Sequence, residues 1–170
     1  MEFTARQTAE RFKRFSSILS ASGLREALAD LLGPTDYRFI AIFRFDGDWA
    51  NAAVFYDRAN PDVRTLDAVP ARATYCNFAR KSRVPYITDN APLDDRLVDH
   101  VARQQVQAYC GVPILTPEGE FLGTLCHYDV VPRDASQLDL ALLCEVCSAL
   151  EQSNLVPPYP AASTGRNGLS

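Results

Sequence analysis

The residues with most chemical reach in this 170-residue chain are five cysteines, Cys76, Cys110, Cys126, Cys144 and Cys147, and two histidines, His100 and His127. Cys144-x-x-Cys147 has the spacing of half a zinc site. No second C-x-x-C and no H-x-x-x-H completes a set of four ligands, and both thiols fall within a predicted helix. Core packing is the expectation for them, since free cysteine is among the most buried residue types. Cys126 and His127 are neighbours on a predicted strand, so their side chains leave opposite faces and cannot serve one reaction. His100 sits in the polar string V-D-H-V and is expected at the surface. No G-x-S-x-G elbow is present, and no nucleophile, base and orienting group can be assembled from these residues. No cofactor or metal is implied. Cys76 and Cys126 stay open as a redox pair, on the condition that something lowers a thiol pKa nearby.

Charged clusters come next. Arg80, Lys81 and Arg83 could meet a phosphate, or could equally complement the negative end of a helix. Asp89, Asp94, Asp95 and Arg96 could hold a ligand's polar edge, but such residues more often cap a helix and tie down its loop. Across the whole chain the net charge is -4 and the pI about 5.1. An acidic surface argues against nucleic acid or an anionic membrane as partner. No apolar run approaches the roughly 20 residues that span a bilayer. Met1-Glu2-Phe3-Thr4 has neither a basic start nor an apolar stretch, so no signal peptide is expected. An odd number of thiols then points to a reducing, cytoplasmic location. With 47% hydrophobic and 22% charged residues, the composition is that of an ordinary globular domain.

The elements that must position these groups are readable from periodicity. Residues 4–20 form an amphipathic helix on Ala5, Thr8, Phe12, Phe15 and Leu19. Ser22 can cap a second helix that Gly33-Pro34 ends. Tyr37 to Phe45, the turn Asp46-Gly47 and Trp49 to Tyr56 make a hairpin, with a weaker strand at Thr65 to Val69. A helix over 71–81, a short strand at 84–88, a loop at 89–92 and a helix over 93–104 follow. Ala108 to Arg133 reads as two strands around the turn Pro117-Glu118-Gly119. A closing helix spans 138–150, within a terminal segment 135–152. Its stripe of Leu142, Leu143, Val146, Cys147, Ala149 and Leu150 is wider than one sheet face needs. With Phe12 and Phe15 on the first helix, this points to contact with that helix, a second subunit, or both. From Ser153 the composition turns to Pro, Ala, Ser and Gly, which predicts one domain over 1–152 and a solvated tail over 153–170.

The strings V-P-A-R-A-T-Y-C, R-V-P-Y-I-T-D-N-A, D-D-R-L, Y-C-G-V-P-I-L, E-G-E-F-L-G-T-L-C and the exit P-R, in this order, resemble the GAF domain family. That resemblance implies an α+β fold. Its central antiparallel sheet of about five or six strands carries the terminal helices on one face and a helical lid on the other. It also implies a pocket under the lid. Bilin-binding GAF domains, aligned on this strand's Gly, place a chromophore-contacting side chain where Tyr128 stands. Alternation along Phe121 to Tyr128 then puts Leu122, Thr124, Cys126 and Tyr128 on the pocket face, and Phe121, Gly123, Leu125 and His127 on the other. The same comparison adds Tyr109, Gly111 and Phe43, with Phe78, Leu97 and Val101 closing from the lid.

The expected ligand is a flat, partly apolar small molecule, held without catalysis and with no covalent bilin. The expected role is a sensory and regulatory module acting through conformational change or partner contact, with a homodimer through the terminal helices. Two alternatives stay open. One is a thiol-dependent oxidoreductase of the free-methionine-sulfoxide reductase type using Cys76 and Cys126. The other is a ligand-free dimerisation module.

Overall fold

The computed structural model describes residues 2–161. Helix α1 (Ala5–Ser22) opens with a reciprocal cap. The Thr4 hydroxyl accepts the Gln7 amide at 3.0 Å, while the Gln7 side chain accepts the Thr4 amide at 2.8 Å. Gly23, with φ at 96°, ends α1 and starts α2 (Leu24–Leu32). Ser22, expected to cap α2, is instead the last residue of α1. The direction change needs a positive φ, which glycine adopts without a Cβ penalty.

Strands β1 (Phe39–Asp46), β2 (Trp49–Asp57), β3 (Val69–Pro70), β4 (Tyr86–Thr88), β5 (Ala108–Leu115) and β6 (Phe121–Asp129) form one antiparallel sheet in the order β3-β2-β1-β6-β5-β4. The β5–β6 hairpin closes at Gly119, whose amide donates to the Thr116 carbonyl at 2.9 Å, while the Thr116 hydroxyl accepts the Glu120 amide at 3.0 Å. A register shift after Ile114 leaves Leu122 unpaired. This reverses the expected alternation at the strand's start. Phe121 lies on the lid face beside Phe45, and Leu122 packs with the helices. Beyond the bulge, Leu125 faces the helices and Cys126 the lid, as alternation requires.

Helix α4 (Leu140–Gln152) is capped by Asp139, whose two oxygens accept the Leu142 amide at 3.1 Å and the Thr8 hydroxyl at 2.5 Å. The helix therefore begins after Leu138, and Ala135–Gln137 is a 3₁₀ turn capped by Asp134. Helices α1, α2 and α4 bury Phe15, Leu28, Leu32, Leu142 and Leu150 against Ile40, Ile42 and Leu125 of the sheet. Phe15 is only 1% exposed, so it packs within its own chain and offers no surface to a second subunit. The wide apolar stripe of α4 meets α1 and β5 of its own chain.

The lid departs most from expectation. The predicted strand at 65–69 shrinks to Val69–Pro70, and that at 84–88 to Tyr86–Thr88. The predicted helix 71–81 divides into a 3₁₀ turn, Ala71–Ala73, and α3 (Cys76–Ser82). No α-helix forms over 93–104. That stretch is a string of turns that includes the 3₁₀ segments Ala91–Leu93 and Asp95–Leu97. Side chains there take the backbone groups that a helix would have paired. Asp94 accepts the Arg96 amide at 3.0 Å, and the Arg103 guanidinium donates to the carbonyls of Ala91 and Pro92.

After α4, Val156 packs against the helical core and the Pro157 carbonyl accepts from Arg44 at 2.6 Å. The predicted solvated tail thus starts later than Ser153. Its part over 162–170 lies outside the described residues.

Candidate functional site

The lid face of the sheet is paved with rings. Tyr128 stacks on Phe39 with centroids 4.7 Å apart, and Phe43 meets Tyr128 edge-on at 6.4 Å. Above this floor lie the 66–76 segment and the turn 101–106. Between them opens a cavity of about 670 Å³. Phe43, Tyr109, Cys126 and Tyr128 form its floor, Tyr75 and Cys76 one wall, and Val101, Ala102 and Val106 the other. The size and the aromatic floor suit an organic small molecule. Asp67 and Gln105, both exposed at the rim, carry side chains that can hydrogen-bond one.

Tyr75 joins the two walls. Its hydroxyl donates to the Val106 carbonyl at 2.8 Å, and its ring lies 4.7 Å from His100 and 5.5 Å from Tyr109. His100 is therefore half-buried in the lid rather than a surface residue. Its Nδ1 accepts the Ala102 amide at 3.1 Å, and burial lowers its pKa.

At the bottom, the Tyr109 hydroxyl donates to Cys76 Sγ at 3.0 Å. Burial pushes the Tyr109 phenol well above its usual pKa, with the neighbouring thiols adding to the shift. Burial likewise raises Cys126, with Cys76 beside it as the second cause. Both groups stay protonated at neutral pH.

Of the residues chosen from sequence, Phe43, Val101, Tyr109, Cys126 and Tyr128 line the cavity. Phe78, Leu97, Gly111 and Thr124 do not. Phe78 stacks on Tyr86 at 4.5 Å, and Leu97 is wholly buried within the lid. Thr124 is buried with its hydroxyl unpaired. Gly111 lies beneath Tyr109, where a Cβ would stand 2.1 Å from the phenol oxygen. Its contribution is the space that lets this ring lie flat and reach Cys76. Tyr75, Asp67 and Gln105 were not singled out from sequence. Tyr75 stood in the V-P-A-R-A-T-Y-C string, but the expected helix assigned it no direction.

The acidic loop is a fastening. Arg96 pairs with Asp94 at 2.6 Å, donates to the Ile87 carbonyl at 2.6 Å and covers the Tyr86 ring at 4.5 Å. This guanidinium holds the Asp94 carboxyl well below the usual carboxylate range. Asp89 accepts the Ala135 amide at 3.0 Å, which ties the loop to the P-R exit. Cys147 is buried on the helical side with a raised pKa, while Cys144 is exposed.

A sheet between three helices and a lid, with a cavity beneath that lid, defines a small α+β module. The family model for the GAF domain matches residues 22–153, so the chain belongs to the GAF family. A cyclic di-GMP phosphodiesterase of Pseudomonas aeruginosa is 28% identical over 113 residues, which is 64% of this chain and 18% of that protein. The chain thus spans less than a fifth of that relative. Solved structures that share the fold include the following two. The GAF domain of an Acinetobacter phosphoenolpyruvate-protein phosphotransferase superposes with a TM-score of 0.65 at 12% identity, covering 88% of this chain and 93% of that one. The free methionine-R-sulfoxide reductase of Neisseria meningitidis, in complex with its substrate, gives a TM-score of 0.65 at 17% identity, covering 89% and 90%. Among the described residues no helix is long and apolar enough to cross a membrane.

Proposed function

We propose that this chain is a non-catalytic sensory module that binds a flat, partly apolar small molecule under its lid. The observation that carries this reading is the cavity of about 670 Å³ over the Phe43, Tyr109 and Tyr128 floor. Rings in that position offer stacking area, and Asp67 and Gln105 offer hydrogen bonds at the rim. Occupancy would favour one arrangement of the 98–106 turn over another. Through Tyr75 that bias reaches α3. The signal then passes by contact with a partner, for which a second copy meeting the outer faces of α1 and α4 is our candidate.

The thiol-dependent oxidoreductase reading has one observation in its favour, since Cys76 of the cavity wall lies beside Cys126 of its floor. Its weakness is chemical. A thiolate is the nucleophile, and burial keeps the Cys126 proton in place.

Native mass spectrometry of protein purified from its own host tests the proposal. A small-molecule adduct is expected on the parent and not on Val101→Trp. Val101 is 63% exposed at the cavity mouth, so an indole there blocks the mouth without disturbing the core. Bare protein in both samples would sink the reading. Methionine sulfoxide with dithiothreitol should give no turnover, and turnover abolished by Cys126→Ser would transfer the assignment to the reductase.

A further inference from the structure

A second concave surface lies outside the lid wall, on the other side of the 70–77 segment. It is a groove of about 600 Å³ lined by Arg72, Arg80, Lys81, Arg83, Asn77 and Asp48, with Pro70 and Ala71 at its base. Four cations and one carboxylate converge there, in a chain whose net charge is -4. We propose that this groove is an anion site that takes the phosphate group of a phosphate-bearing small molecule.

A basic helix end is commonly no more than a complement to the helix dipole, and Arg80 and Lys81 do stand in the last turn of α3. The rest of the cluster has a different origin. Arg72 arrives from the 3₁₀ turn before the helix, and Arg83 from the left-handed residue after it, at φ 64°. Two of the four are already oriented. Arg80 donates to the Gly47 carbonyl at 3.0 Å and lies 4.5 Å over the Phe45 ring. Arg83 donates to the carbonyls of Gly119 and Arg80, and lies 5.6 Å over Phe121. A cation held in place loses less freedom when it binds an anion. Arg72 and Lys81 have no hydrogen-bond or ion-pair partner among the described residues, so their charge is available to a ligand. Planar guanidinium forks match phosphate oxygens, and the Asn77 amide can donate one more bond. The concavity favours a compact ligand over an extended acidic peptide, and its volume suits a phosphoester or nucleotide.

The test is an amide NMR titration of the full chain with inorganic phosphate, pyrophosphate, ADP and a poly-glutamate peptide, against sodium chloride at matched ionic strength. Saturable shifts at Asp48, Arg72, Asn77 and residues 80–83 are expected with pyrophosphate and ADP. Equal affinity for the two would assign recognition to the phosphates, and tighter ADP binding would add the nucleoside as a contact. Arg72→Gln with Lys81→Gln should raise Kd at least about tenfold, because charged hydrogen bonds are lost. Both side chains are exposed and unpartnered, so the fold should not respond. Val101→Trp should leave this binding unchanged, which separates the groove from the cavity under the lid. Shifts no larger than with chloride, or insensitive to the double substitution, would overturn the proposal. So would tighter binding of poly-glutamate than of pyrophosphate, which would assign the groove to an acidic protein segment.

Discussion

His127 makes the stability of this domain depend on pH in a calculable way. It lies on the helical side of β6, 1% exposed, with Nδ1 lacking any hydrogen-bond partner and the Tyr37 ring edge-on at 5.9 Å. Burial, with smaller contributions from Arg11 and Arg58, lowers its pKa to about 3. In the unfolded chain the same imidazole titrates near 6.5. Between those values the unfolded state takes up a proton that the folded state refuses. Stability is therefore full above about pH 6.5 and is lost progressively as pH falls toward 3. From pH 7 to pH 5 the expected loss from this ring is about 2 kcal/mol. His100 shifts in the same direction and adds to it. Asp57, Asp94 and Asp134 have lowered pKa values, so their contributions fade only below the ordinary carboxylate range and leave this window clear. Urea unfolding of the parent and of His127→Leu at pH 7 and pH 5 measures the difference. Leucine has similar volume, suits the core beside Leu125 and carries no proton. The variant should lose about 2 kcal/mol less than the parent across the interval. An identical loss in both proteins would show that His127 titrates normally and is not desolvated.

Four further substitutions probe the packing around the cavity, the helical layer and the lid. Gly111→Ala places a methyl where the Tyr109 hydroxyl lies, so the ring must leave Cys76; a loss of about 2 kcal/mol in urea unfolding is expected, with a change in tyrosine fluorescence. Asp139→Ala removes the α4 cap and strands the buried Thr8 hydroxyl, for a loss of about 2–3 kcal/mol, and Thr8→Val in the same chain should add less than its separate effect, because both act on one bond. Arg96→Ala should raise the Asp94 pKa toward its ordinary value and speed hydrogen exchange over the 91–105 turns while leaving α1, α2 and α4 unchanged. Uniform exchange across the molecule would show that the lid does not open on its own.

The two faces of the sheet were not equally legible in the sequence. The helical layer was, because its physics is periodic. Apolar residues at helical spacing must be buried, and Leu28, Leu142, Val146 and Leu150 all are. Strand alternation likewise separated Cys126 from His127 correctly, since both lie beyond the bulge at Leu122. It failed for Phe121 and Leu122 because one extra residue reverses every side chain beyond it. The one local mark of that insertion is Gly123, since a glycine inside a strand often signals a bulge or a close backbone approach. The Thr4–Gln7 cap was present as T-x-x-Q, and Asp139 stood just ahead of the closing helix. Both were legible signals that periodicity alone passed over.

The lid was opaque for a physical reason that also bears on its role. Residues 91–105 make little repeating structure, so no period records which side chains turn inward. Their backbone is held instead by particular side chains, those of Asp94, Arg96, Arg103 and His100. Such a segment can exchange one set of local bonds for another without melting a helix, whereas α1, α2 and α4 share a continuous core and move together or not at all. The exposed Leu93, Val98 and Val101 show that the turns do not bury all their apolar surface. A cover assembled in this way is expected to open at a lower free-energy cost than the helical layer. In such a cover a ligand's modest differential affinity for two arrangements is sufficient to choose between them. The features that hid the lid from a periodic reading are thus the features a ligand-responsive cover requires.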